Sequence, residues 1–175
     1  MEKIGLFYAP AKGNTEKIAR LIQNKIGSGI VDLILIEDNT EISVLNPYSK
    51  IIFGISTVGR DTWDSKYKKV GWDFFMHRLE KADMKGKTIA IFGLGDHILY
   101  PNHFVNSLGV LANQLIKSGA NLVGKTSVEN YTFDDSEAIE DGQFLGLPID
   151  EENQSEYTVE RVDNWLLAIS KIFGF

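Results

Sequence analysis

Short apolar runs rich in Ile, Val and Phe recur along the chain at residues 4–8, 31–36, 51–55, 88–93 and 121–125. Segments of helical period lie between them. Over 15–26 the apolar residues Ile18, Ala19, Leu21, Ile22 and Ile26 fall at three- and four-residue steps, one face of a helix. Residues 72–79, 104–116 and 159–173 repeat that pattern. Short strands with no polar alternation are buried on both faces, and strands that alternate with helices pair in parallel. Right-handed crossovers leave few topologies for such a chain. The class is therefore α/β, a three-layer sandwich with helices on both faces of a parallel sheet.

Two segments depart from the alternation. Residues 37–50 have room only for a short helix, over 41–45. Residues 126–158 are polar and acidic with brief apolar pieces such as Phe144-Leu145-Gly146-Leu147. A loop of that length in a compact domain has structure of its own or a function. The 175 residues suit one domain, residues 1–175, with a full core.

Composition narrows the chemistry. There is no cysteine, which excludes disulfides, thiolate catalysis and thiolate-bound metal. The formal net charge of −6 opposes nucleic-acid binding and favours basic protein partners. No apolar run approaches the ~18 residues of a membrane span. Residues 1–5 lead straight into a strand pattern without a basic or apolar leader, so the expected location is cytoplasmic. The carboxylates Asp134, Asp135, Glu137, Glu140 and Asp141 form a run, read as a solvated face or partner patch because nothing cages them around a cation. No catalytic acid–base pair, nucleophile or metal site is expected.

The turn after the first strand, Ala9-Pro10-Ala11-Lys12-Gly13-Asn14-Thr15, opens a helix. Free N–H groups at a helix N-terminus suit an anion. Gly13 permits a tight turn or a close ligand, Asn14 or Thr15 can cap the helix, Lys12 adds a cation and Pro10 removes a donor. It is not a Walker loop, since GxxxxGK[ST] is absent. A second glycine pair, Gly93-Leu94-Gly95-Asp96, follows the fourth strand. It lacks the third glycine of a dinucleotide fingerprint and follows the wrong strand for one. It suits a loop whose backbone approaches a flat ligand.

These motifs carry a resemblance to the flavodoxin family, its long-chain branch in particular. The residues are "KIGLFYAPAKGNTEKIA" (3–19), "IAIFGLGD" (89–96) with Tyr100 beyond it, "FVNSLGVLANQLIKSGANLVG" (104–124), "NYTFDDSEAIEDGQFLGLPIDEENQ" (130–154) and "TVERVDNWL" (158–166). The resemblance implies a five-stranded parallel sheet of order 2-1-3-4-5. It also implies a long-chain insertion at about 126–148 in the last strand.

The resemblance further implies flavin mononucleotide (FMN) held by three loops at the C-terminal ends of the strands. Residues 9–15 would take the phosphate. The family writes this loop T/S-x-T-G-x-T; here only Gly13 and Thr15 survive, and Pro10 and Lys12 replace hydroxyls. Each lost hydrogen bond to a charged group is worth about 1.5–3 kcal/mol. Lys12 can offset part of that by charge, or can point to water. The second loop would be Ser56, Thr57, Val58 and Gly59, with Val58 where the family commonly has an aromatic. Trp63, within extra residues at 60–71, either supplies that stack or contacts a partner. Gly59 would allow a peptide flip towards the flavin. The third loop would be Gly93, Leu94, Gly95, Asp96 and Tyr100, with the Tyr100 ring stacked on the flavin. His97 and His103 border it; a histidine near the flavin could couple its reduction to pH, but both are read as exposed loop residues.

The implied function is a low-potential one-electron carrier, shuttling FMN between semiquinone and hydroquinone. The expected state is a monomer that docks basic redox partners, a reductase donor and an acceptor enzyme, transiently through its acidic face. Two alternatives stay open: a module of this fold with weak or lost FMN binding, and an FMN-dependent quinone reductase.

Overall fold

The computed structural model describes residues 2–56 and 71–175. The chain runs β1 (Ile4–Tyr8), α1 (Asn14–Ile26), β2 (Val31–Leu35), a 3₁₀ turn (Ile42–Leu45), β3 (Lys50–Ile55), α2 (Gly71–Leu79), β4 (Thr88–Leu94), α3 (Asn106–Lys117) and β5 (Asn121–Leu122). Then come β6 (Thr126–Ser127), β7 (Ile139–Glu140), β8 (Gln143–Phe144), β9 (Leu147–Ile149), a 3₁₀ turn (Ser155–Tyr157) and α4 (Thr158–Phe173). The sheet order is β2-β1-β3-β4-β5, all pairs parallel, as the resemblance implies.

Strand alternation divides the core. Ile4, Leu6 and Tyr8 of β1, Ile52 of β3 and Ala90, Phe92 and Leu94 of β4 face α1 and α4, where Ile18, Ala19, Ile22, Val162, Trp165, Ile169 and Phe173 close the layer. Phe7, Ile51, Phe53, Ile55, Ile89 and Ile91 face α2 and α3, against Trp72, Phe75, Leu79, Leu108, Leu111 and Leu115. Burying each such side chain contributes about 1.5–3 kcal/mol. Gly54 is fixed by its neighbour: a Cβ there would lie 2.2 Å from the Phe92 ring.

The fifth strand position differs from the single run expected over 121–125. β5 has two residues and pairs with Thr88 and Ile89. The rest of the β4 edge, Phe92 to Leu94, is taken by β9. Gly124, at φ +81°, turns the chain out of the sheet between them. Residues 126–144 build a separate antiparallel sheet, β6-β8-β7. The fifth strand position is thus shared by two segments far apart in sequence, because three residues of an edge can be paired by a distant segment as well as by a local one.

This small sheet packs through rings. Phe104 lies 5.6 Å from Phe133 and 5.8 Å from Tyr131, and Phe144 lies 5.3 Å from both of those. The Tyr131 hydroxyl donates to Pro148 O at 2.8 Å, and the Arg161 guanidinium sits 4.1 Å from its ring centre. Gly109 of α3 permits a close approach to this segment: a Cβ there would be 2.3 Å from Glu137 O. No helix among the described residues is long and apolar enough to cross a membrane.

Candidate functional site

Parallel strands put every C-terminal end on one edge. The segments after β1, β3 and β4 therefore emerge side by side, and crossovers leave β1 and β3 in opposite directions. Ligands in open α/β sheets bind at such a divergence. Residues 9–15, Ser56 and Gly93 to Tyr100 lie at this edge. Thr57, Val58, Gly59 and Trp63, with the rest of the 60–70 stretch, lie outside the described residues.

In the first segment Ala9 N–H donates to Gly54 O at 3.3 Å, joining β1 to β3, and the Ala9–Pro10 peptide is cis. Ala11, Lys12, Gly13 and Asn14 are exposed. Neither expected cap forms. Gly13 is the N-cap residue and no side chain caps the helix. Asn14 Nδ2 instead donates to Glu152 Oε1 at 3.1 Å, and Thr15 is buried, 2% exposed. Glu16 accepts the Lys12 N–H through Oε2 at 2.7 Å and the Arg20 guanidinium through Oε1. The Lys12 N–H first, then Arg20, hold the Glu16 carboxyl below its ordinary range.

The glycine here is not a backbone necessity. Gly13 has φ −153°, extended geometry open to any residue, while Lys12 takes the left-handed conformation at φ +60°. Nothing lies within 4 Å of a Cβ built on Gly13. The space before it is open, and the N–H groups of Asn14, Thr15 and Glu16 in the first helical turn face no intrahelical acceptor. An open cleft of about 450 Å³ lies between residues 9–11, residues 35–39 and Gly71. Glu37 and Asp38 line it, so it does not suit the anion that the helix end would attract.

In the third segment Asp96 shapes the turn. Its Oδ1 accepts the N–H groups of Ile98 at 2.9 Å and Leu99 at 2.8 Å and the Asn153 amide at 2.9 Å. Tyr100 N–H donates to Asp96 O at 3.0 Å. The turn presents Ile98, Leu99 and Tyr100, exposed by 63%, 70% and 39%. Behind it, Pro101 O accepts the N–H groups of Asp134 and Asp135, and Phe104 O accepts the Ser136 hydroxyl. The segment between β6 and β7 thus braces the loop. Glu140 of the carboxylate run pairs with Lys125 at 2.6 Å.

His97 is not the exposed residue expected. Its side chain is 12% exposed, and Nδ1 lies 2.5 Å from Oδ2 of the fully buried Asp150. Burial raises the Asp150 carboxyl, but the N–H groups of His97 and Asn153 and the Asn153 amide outweigh it and hold the group below its ordinary value. The carboxylate is therefore ionised, and His97 Nδ1 carries the hydrogen between them. His103 is exposed, with Nδ1 3.2 Å from Asn106 Nδ2. Sequence reasoning missed Asp150, Glu151, Glu152 and Asn153. They lie inside the 130–154 stretch that carries the resemblance, and their one local signal was an Asp and an Asn three apart between a strand and a helix, a turn pattern.

The Flavodoxin family model matches residues 6–165. A flavodoxin from a Nostoc species is 35% identical over 173 residues, covering 99% of this chain and 98% of that one. A Haemophilus influenzae flavodoxin is 38% identical over 170 residues, 97% of this chain and 94% of that one. The crystal structure of Fusobacterium nucleatum flavodoxin bound to flavin mononucleotide matches with a TM-score of 0.85 at 28% identity over 99% of each chain. Oxidised Flavodoxin 2 from Bacillus cereus matches with a TM-score of 0.67 at 26% identity, over 97% of this chain and 99% of that one. By sheet order, site edge and whole-length similarity, the chain belongs to the flavodoxin family.

Proposed function

We propose that this protein binds FMN at the β1/β3/β4 edge and works as a one-electron carrier rather than an enzyme. The observation that carries the reading is Gly13. Neither backbone geometry nor packing requires a glycine there, and the open space lies at a helix N-terminus that favours a phosphate. Residues 9–15 would hold the phosphate through backbone N–H groups, with Lys12 adding charge. Ser56, Thr57, Val58, Gly59 and Trp63 would border one side of the ring system, and Gly93, Leu94, Gly95, Asp96 and Tyr100 the other.

The isoalloxazine supplies the redox chemistry when bound. The chain's part is to exclude water and set the local field. Asp96 and ionised Asp150 lie at the loop that would cover the ring, so added negative charge there is disfavoured. That field lowers the potential of the second electron. Ile98 and Leu99 offer an apolar contact beside the ring, and the net charge of −6 would steer basic redox partners to a cytoplasmic monomer.

One observation favours a module with weak FMN binding: Glu16 already occupies the Lys12 N–H. Visible absorbance of the purified protein, before and after FMN addition and through stepwise reduction, separates the readings. Bound flavin reduced in two resolved one-electron steps supports the carrier. No flavin, and none taken up from excess FMN, overturns it.

A further inference from the structure

The residues that follow β9 touch both ends of the proposed site. Asp150 is fully buried and its carboxylate accepts from two loops. Oδ2 takes the His97 N–H at 3.0 Å, His97 Nδ1 at 2.5 Å and the Asn153 amide at 3.0 Å. Oδ1 takes the N–H groups of Glu152 at 3.1 Å and Asn153 at 2.9 Å, and the Asn153 amide at 3.1 Å. The Asn153 amide has two hydrogens: one reaches Asp96, and the other is shared by the Asp150 oxygens. Asp96 in turn holds the N–H groups of Ile98 and Leu99. An unbroken chain of charge-assisted bonds thus runs from Asp150 to the turn that carries Tyr100.

The next two residues reach the other way. Glu151, whose side chain is 3% exposed, pairs with Lys17 at 2.5 Å and accepts the Thr158 hydroxyl. Glu152 accepts the Asn14 amide at 3.1 Å. Asn14 and Lys17 belong to the first turns of α1, where the phosphate would sit. Four consecutive residues therefore tie the ring-side loop to the phosphate-side helix.

We infer that 150–153 is a positioning element of the flavin site. Asp150 holds the 96–100 turn in its ligand-ready shape, and Glu151 and Glu152 set its spacing from α1. The inference rests on the FMN reading for its ligand, but not for its geometry. A carboxylate that merely filled a hole in the core would have no reason to collect donors from the ring-side loop while its neighbours bind α1.

The test compares FMN, riboflavin and inorganic phosphate binding to the wild type and Asp150→Asn, with amide hydrogen exchange of both apoproteins. Loss of a charge-assisted bond loosens the turn, so riboflavin and FMN affinity should fall by the same factor, about tenfold. Phosphate affinity should stay unchanged, and exchange at Ile98 and Leu99 should quicken by about tenfold. A variant that melts earlier yet binds riboflavin like the wild type, with unchanged exchange at Ile98 and Leu99, overturns the inference. A wild type that takes up no flavin overturns the FMN reading, while the exchange comparison still decides whether Asp150 holds the turn. If Asp150→Asn does not fold, His97→Ala carries the same readouts with a smaller effect, about threefold, because Glu152 and Asn153 still satisfy the carboxylate.

Discussion

Glu16 Oε2 accepts the backbone N–H of Lys12 at 2.7 Å. A carboxylate thus occupies a donor of the turn that would otherwise receive a phosphate, and it stands where a second anion would be repelled. Glu16→Gln should tighten FMN binding about three- to tenfold, since repulsion between charges a few ångströms apart is modest near water. Riboflavin affinity should not change. Flavin fluorescence quenching measures both. Unchanged or weaker FMN binding would mean that the carboxylate orders the turn more than it competes for it.

Lys12 carries the opposite expectation. Its backbone is left-handed, and it replaces a family hydroxyl in the loop. If its ammonium compensates for that hydroxyl, Lys12→Gln weakens FMN but not riboflavin, by about three- to tenfold at low salt. The difference should fade near ~0.5 M salt, where exposed charges are screened within a few ångströms. An equal loss for both flavins would point to backbone rearrangement instead of charge.

Gly109 tests how the small antiparallel sheet is docked. A Cβ there would meet Glu137 O at 2.3 Å, and neither backbone can yield without parting. Gly109→Ala should cost about 1–3 kcal/mol by urea denaturation. Because the residues just before Glu137 brace Pro101 and Phe104 through their carbonyls, amide exchange at residues 102–105 should rise as well. Wild-type stability in this variant would show that the sheet shifts freely against α3.

The layers were legible because buried strands and amphipathic helices leave unlike periods. Ile18, Ala19 and Ile22 face the sheet as their spacing demands. The third loop was legible through Gly93, Asp96 and Tyr100, which stand together in sequence. What could not be read depends on contacts across long separations. Nothing local to Leu147 or Ile149 says that they extend the edge left by Leu122. His97 and Asp150 are 53 residues apart, and a lone histidine in a polar loop has the same local sequence whether or not a buried carboxylate awaits it. Of the two roles the sequence offers Gly13, the tight turn fails, because the left-handed residue is its neighbour Lys12; room for a close ligand is the role that the proposed phosphate site uses.

Asp150 links that buried contact to pH. The group gains its stabilising bonds only when ionised, and its folded-state pKa lies below the ordinary value, about 3.9 for an aspartate. A depressed pKa contributes stability above the unfolded-state value and loses it as pH falls through the folded one. Asp150→Asn presents an amide that accepts with one oxygen only and sets its own N–H₂ against a donor, at a cost of about 2–4 kcal/mol at pH 7. The gap between wild type and variant should therefore hold from neutral pH to about 5 and narrow steadily below about 4. Paired thermal melts at pH 7, 5, 4 and 3 measure it. A gap that stays constant to pH 3 would show that the donors from His97 and Asn153 bind the neutral acid as well as the anion, and that ionisation of Asp150 does not hold this turn.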